Sequence, residues 1–284
     1  MSDYVIITDS TCDITKEMEK ELELTLLSLS VNIGEETFQE YDSKAFYERL
    51  REGAMPTTNA INIGDYLDTA RPILEAGRDV LILAFSSGLS TTYNSAAVAA
   101  QELSVAYPDR KIYAVDTLCA SMGEGLLVWH AAKRKQAGAS IEELRDWVLE
   151  NRLRLCHWFT VNDLFHLKRG GRISSATALV GTMLGIKPVL HVDNEGHLIS
   201  MDKARGRKAA LLNILQKMEA TITNPTEQVI FISHSDCEED AWWLGDKIQK
   251  RFGVADVVIN YIGPVIGSHT GIGTVALFFL GTER

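Results

Sequence analysis

A chain of 284 residues is long enough for about two ordinary domains, and 46% hydrophobic with 23% charged residues is the composition of a folded globular protein. Disorder as the main state is excluded. Twenty-eight basic against 38 acidic residues leave a net charge of -10, which opposes nonspecific attachment to nucleic acid or anionic lipid, so an anionic ligand requires a local site.

Taken in chain order, residues 4–8, 26–33, 79–85 and 111–115 are short aliphatic or β-branched runs that read as strands. Helical patterns at 43–52, 63–76, 92–106, 120–137 and 140–152 separate or follow them, several opened by a capping residue such as Ser43, Ser90 or Ser140. This alternation predicts a parallel sheet covered on both faces. The second half differs. Strand-like pieces at 155–161, 188–192 and 197–201 lie close together, with a turn at Asp193-Asn194-Glu195-Gly196 that suggests a hairpin. A helix at 204–222, a strand at 228–233, a helix at 238–251, a strand at 255–261 and a final apolar helix from about 270 complete the expectation. The fold class is therefore α/β in two domains: an N-terminal parallel-sheet α/β domain over 1–155 and a C-terminal α+β domain over 156–284. No Pro-rich linker separates them, so a cleft between the two is the natural pocket.

Four cysteines, Cys12, Cys119, Cys156 and Cys237, form no Cys-x-x-Cys pair and suggest neither a disulfide framework nor a zinc ribbon. A reducing compartment fits. The start of the chain has no basic region ahead of a long apolar core, and the longest apolar runs, 80–85 and 275–280, are six residues. The expectation is a cytoplasmic protein without stable membrane insertion.

Three polar clusters end predicted strands: Asp9-Ser10-Thr11, the run from Ser86 to Thr92, and Asp116-Thr117. In a parallel sheet all three share the carboxyl edge, where open α/β folds bind ligands. A fourth, Thr57-Thr58-Asn59, follows Pro56 in an expected loop. Ser90 falls at a helix N-terminus, where unpaired N–H groups and the helix dipole favour a carboxylate or phosphate, although simple capping is the commoner role there. His269 sits in a glycine-dense stretch, 263–273, and can donate to an anion in either protonation state, or satisfy loop carbonyls. The remaining six histidines have no metal-binding spacing. Arg169-Gly170-Gly171-Arg172 and the run from Lys203 to Lys208, with Arg205, are the dense basic segments, suited to an anion, to an acidic partner or to a solvated face.

Nucleotide motifs fail. Gly123-Glu124-Gly125 lacks the third glycine of a dinucleotide fingerprint, and Gly181 to Lys187 has the wrong spacing for a phosphate loop, with Pro188 where Ser or Thr is required. No cofactor is indicated. Asp9-Ser10-Thr11-Cys12-Asp13 after an apolar strand leaves open a magnesium-dependent phosphohydrolase with Asp9 as nucleophile, although Thr11 stands where a second aspartate belongs.

In order and spacing, Thr8 to Asp13, Pro56-Thr57-Thr58, Ser86 to Tyr93, Asp116-Thr117, Leu167 to Ile173, Gly185 to Leu190 and Gly263 to Gly273 resemble the DegV family of bacterial fatty-acid-binding proteins. The resemblance implies a two-domain α/β protein with a long-chain fatty acid in a tunnel between the domains. Its carboxylate would be held by Thr58, Ser90 and His269, with Thr91 and Ser10 nearby. It also implies a protein that is not itself an enzyme, presenting the carboxylate to a separate ATP-dependent fatty acid kinase subunit that makes an acyl phosphate. Arg169, Arg172 and Arg205 would then dock that partner or neutralise the phosphoryl group. The chain departs from the family pattern at Thr91, where glycine is usual, at Asn59-Ala60, and at Gly271-Ile272-Gly273-Thr274.

Overall fold

The computed structural model describes residues 3–40, 42–162, 164–174 and 185–284. Residues 181–184 of the rejected phosphate-loop stretch lie outside them. The first sheet is wholly parallel, in the order β2 (Thr25–Leu27), β1 (Tyr4–Asp9), β6 (Asp79–Ala84) and β7 (Ile112–Asp116). Successive side chains of a strand point to opposite faces, and here both faces are buried. Tyr4, Ile6, Leu81 and Leu83 pack against helices α5 (Met122–Gln136) and α6 (Ile141–Asn151). Val5, Ile7, Val80 and Ile82 pack against α2 (Ser43–Arg51), α3 (Ile63–Glu75) and α4 (Thr92–Ala106). Two short helices complete this part of the numbering: α1 (Lys16–Glu21) and α7 (Phe165–Arg169).

The expected single strand over 26–33 is in fact two. The chain bends at Ser28 and Leu29, where the Ser10 hydroxyl accepts the Leu29 N–H at 3.1 Å. Beyond that bend β3 (Ser30–Ile33) pairs antiparallel with both β4 (Glu36–Phe38) and β5 (Thr57–Asn59) in a separate small sheet. Thr57-Thr58-Asn59, expected in a loop, is therefore an edge strand held by backbone pairing.

The second large sheet is mixed: β10 (Leu198–Arg205), β9 (Ile186–Val192), β8 (Leu155–Thr160), β13 (Val275–Leu280), β11 (Val229–His234) and β12 (Asp256–Tyr261). The expected hairpin is β9–β10, but β10 runs on to Arg205, so the basic segment begins in a strand and the helix that follows starts later, as α8 (Arg207–Thr221). The final apolar helix expected from about 270 is corrected. The helix is α10 (Pro264–Thr270). Gly271, at φ 71°, and Gly273, at φ 84°, then turn the chain into β13, a central strand. A six-residue apolar run buried on both faces has no periodicity to separate strand from helix. One face of this sheet, including Trp158, Ile232, Leu277 and Phe279, packs on α8 and α9 (Glu238–Phe252). Its other face, with Phe159, Leu190, Phe231, Ala276 and Phe278, meets the cluster around α5.

Helix α5 is thus enclosed between the two large sheets, and its residues from Met122 to Val128 are all buried. Across the same junction the Tyr47 hydroxyl of α2 donates to the Ile262 carbonyl at 2.8 Å and lies 3.0 Å from the Ser235 hydroxyl. No helix among the described residues is long and apolar enough to cross a membrane. Tyr47→Phe leaves the Ile262 carbonyl without that donor while keeping the ring, and is expected to lower stability by about 1–3 kcal/mol in urea unfolding.

Candidate functional site

A cavity of about 550 Å³ lies between the parallel sheet and the six-stranded sheet, within the roughly 300–1,000 Å³ range of small-molecule sites. Its body is apolar. Leu29 and Phe85 wall it from the N-terminal half, and Phe159, Val192, Val265, Ile266, Ala276 and Phe278 from the C-terminal half. Polar groups reach it from β5, from the serine-rich loop after β6, from the first turn of α4, from α10 and from the arginine segment: Thr58, Ser90, Thr91, Asn94, His269 and Arg172 all line it.

Thr58 and His269, 211 residues apart, meet with Oγ1 2.8 Å from Nε2. Burial, then the guanidiniums of Arg172 and Arg169, push the His269 imidazole down to about 4, so it is neutral near pH 7 and can still donate one hydrogen bond. Its Nδ1 has no hydrogen-bond partner among the described residues and faces Gly170, where any Cβ would overlap it. Gly170 of the arginine segment therefore lets the histidine take its place in the wall. Ser90 accepts the Thr92 N–H at 3.2 Å, and its hydroxyl is 2.9 Å from that of Thr92. The first residue flanking α4 is Thr91, whose side chain makes no cap. The serine supports the helix start and faces the cavity at once.

The loop that carries Ser90 is held from three directions. Asp116 accepts the N–H groups of Ser87 and Leu118 at 3.2 and 3.0 Å, and the Arg172 Nε donates to the Leu89 carbonyl at 3.1 Å. Gly88 lies against the β9–β10 turn so closely that a Cβ there would be 2.7 Å from the Gly196 carbonyl carbon, and the Ser86 hydroxyl donates to the Gly196 oxygen at 3.0 Å.

The structure does not gather every candidate. Ser10 is outside the cavity wall; by accepting from Leu29 it positions a residue that is in the wall. Arg169 is also outside the wall, donating from Nη2 to the Ser268 carbonyl at 3.3 Å, but its charge reaches His269. Arg205, on the edge strand β10, is exposed and away from the cavity.

Asp9 has no opening to solvent or cavity. One carboxyl oxygen accepts from Thr11, through its N–H at 3.1 Å and its hydroxyl at 2.5 Å, and the other accepts the Phe85 N–H at 2.9 Å. The Thr11 hydroxyl is also 2.9 Å from Glu124, itself fully buried. A single hydroxyl proton cannot satisfy two carboxylates, and burial raises the pKa of both acids, so the pair retains a proton. The nucleophile reading of Asp9 is corrected to a structural one, because an inaccessible carboxyl cannot attack a phosphate.

Local pattern gave no reason to single out Phe159, Phe278, His157 and Ser121, all of which line the cavity. In β8 the alternation of His157 and Phe159 with Cys156 and Trp158 was visible, but which set faced a ligand was not.

A profile of the family described as "Uncharacterised protein, DegV family" matches residues 3–282. The chain belongs to the DegV family. A DegV domain-containing protein of Clostridium perfringens is 49% identical over 289 residues, covering 100% of this chain and 99% of that protein. One from Lactococcus lactis is 39% identical, covering 99% and 98%. Among solved structures, a DegV-family protein from Thermus thermophilus described for its fatty acid binding has 32% identity and a TM-score of 0.89, covering 98% of this chain and 99% of that one. DegV of Bacillus subtilis, described as a fatty acid binding protein, has 30% identity and a TM-score of 0.87, covering 99% and 100%.

A third buried acid, Asp13, adjoins the cavity of this DegV-family chain. Asp13, at φ 51°, accepts the Gly263 N–H at 3.0 Å and pairs at 2.5 Å with the hydroxyl of Ser121, a wall residue. Burial pushes its pKa up to about 8 against these hydrogen bonds. The folded state thus keeps a proton that an unfolded aspartate loses near pH ~4, so this stabilisation is complete below that pH and is lost as pH rises towards 8. Asn tolerates the left-handed backbone and has no proton to lose. In urea unfolding from acid to alkaline pH, Asp13→Asn is expected to gain stability relative to the wild type as pH climbs through that interval; parallel profiles would refute the protonated Asp13.

Proposed function

We propose that this protein binds a long-chain fatty acid, with its carboxylate at Thr58, His269 and Ser90 and its tail between the sheets, and presents that carboxylate to a separate ATP-dependent kinase subunit. The observation that carries the reading is a largely apolar cavity whose wall also holds a hydroxyl–imidazole pair and an arginine. An alkyl tail gains about 0.8 kcal/mol per methylene removed from water, so a long chain supplies most of the affinity. The carboxylate needs hydrogen bonds once desolvated, and hydroxyls, a neutral imidazole and the Arg172 guanidinium offer them. The fatty acid binding described for the Thermus thermophilus and Bacillus subtilis relatives supports the same ligand class.

In the proposed reaction a carboxylate oxygen attacks the γ-phosphorus of ATP held by the partner, the bond to the β–γ bridging oxygen breaks, and acyl phosphate and ADP result. This chain's share is orientation: it holds the acyl group, keeps water from its tail and leaves the carboxylate within reach. Arg172, beside the carboxylate, would offset charge on the transferring phosphoryl group, and Arg205 would serve partner docking at a distance.

Native mass spectrometry of the purified protein is expected to show a stoichiometric fatty acid. A protein that is empty and also takes up no added fatty acid would reject the reading. Thr58→Ala and Ser90→Ala should each cost about 1–2 kcal/mol, a roughly 5- to 30-fold weaker Kd. Unchanged affinity in a Thr58, Ser90 and His269 triple alanine variant would remove the carboxylate assignment. In a coupled assay with the kinase, Arg172→Glu should lower turnover, whereas Arg205→Glu should raise the KM for this protein with little effect on kcat.

A further inference from the structure

The cavity's length can be followed along two paired strands. Thr274, Ala276 and Phe278 line it from β13 and its approach, and Phe159 and His157 from β8. In register, Ala276 opposes Phe159 and Phe278 opposes His157. With a rise of ~3.4 Å per residue, each such pair lies a step further from His269, which precedes the strand. The next same-face pair, Leu280 with Leu155, is not in the wall. Phe278 and His157, edge to face with ring centroids 5.3 Å apart, are therefore the deepest layer.

Behind that layer stands Gly123, in the first turn of α5. A Cβ there would overlap His157 Nε2 and lie 2.7 Å from Phe278 Cδ1. Gly123 has an ordinary helical backbone, so its place is not explained by a positive φ, and glycine in a helix costs about 1 kcal/mol relative to alanine. The close approach explains it. His157 is fixed from two sides: its Nδ1 is 3.0 Å from the Leu155 carbonyl, and its Nε2 accepts the Ala120 N–H at 3.3 Å. Both rings line the cavity, so displacement away from Gly123 narrows it there.

We infer that Gly123 is a specificity-determining position, setting the depth of the cavity, and so the length of acyl chain it takes, by allowing His157 and Phe278 to sit back against α5. This rests on the fatty acid reading above. The carboxylate residues are untouched by it, and each methylene left unburied weakens binding roughly four-fold.

The test loads delipidated wild type, Gly123→Ala and Phe278→Leu with an equimolar homologous series of straight-chain saturated fatty acids and reads the bound distribution by native mass spectrometry. Gly123→Ala should shift the distribution to shorter acids, roughly four-fold per methylene excluded, and Phe278→Leu to longer ones. Opposite shifts are not expected from general destabilisation, which would reduce loading of every acid alike. Should Gly123→Ala fail to fold, a shift to longer acids in Phe278→Leu upholds the inference and a wild-type profile overturns it. Wild-type profiles in both folded variants overturn it while leaving fatty acid binding intact, whereas a wild type that loads no acid overturns the binding reading itself.

Discussion

The burial of α5 between two sheets is the constraint on which the rest of this structure depends. A helix normally turns one stripe to the core, but the first two turns of this one are buried throughout, against Leu81 and Leu83 on one side and Phe231 and Phe278 on the other. Such a helix cannot carry large side chains everywhere. Gly123 leaves room for His157 and Phe278, and Gly125 leaves room for the Cys12 carbonyl. The sheets are thereby brought to a separation that leaves a cavity beside the helix rather than a filled core.

The same enclosure explains the buried acids. Glu124 is on α5, Asp9 ends β1 and Asp13 follows it, all with burial raising their pKa. Asp9 and Glu124 share the Thr11 hydroxyl and retain a proton between them, and Asp13 is held by Ser121 and Gly263, so the three acids link the parallel sheet, α5 and the C-terminal half through hydrogen bonds. A carboxyl that ties Phe85 and Thr11 together cannot also be a nucleophile. In this chain the polar residues at the carboxyl edge of the sheet are divided between two duties, with Asp9, Asp116, Ser10 and Ser86 holding the loops and Ser90 and Thr91 facing the cavity.

That division suits the proposed role of binding a fatty acid and presenting it. A neutral imidazole, a few hydroxyls and one half-buried arginine satisfy a carboxylate without the deep ion pair that would fix it in place. On the proposed reading, affinity comes from a tail whose contribution grows by the methylene, and the polar end is left for chemistry done by a kinase subunit.

Much of the architecture was legible in the sequence, since alternating aliphatic runs and capped helical patterns report spacing along the chain, and that spacing specifies parallel strands with helices between. The ordered motifs pointed to Thr58, Ser90, His269, Thr91 and Ser10 as one group and to Arg169, Arg172 and Arg205 as another; four of the first and Arg172 of the second line the cavity. Other features depend on neighbours distant in sequence. The run from Val275 to Leu280 is a strand because β8 and β11 flank it, and buried apolar residues have no pattern of their own to say so. Thr58 is held in a strand by pairing with Val31, Ser10 turns to Leu29 rather than to the cavity, and Asp9 is closed off by Thr11 and Phe85. By itself the sequence determined the alternation of strands and helices along most of the first half and brought Thr58, Ser90, Thr91 and His269 together as candidates. Only the tertiary structure decided which face of each segment met the ligand, because burial is a property of the assembled sheets and not of any stretch of chain.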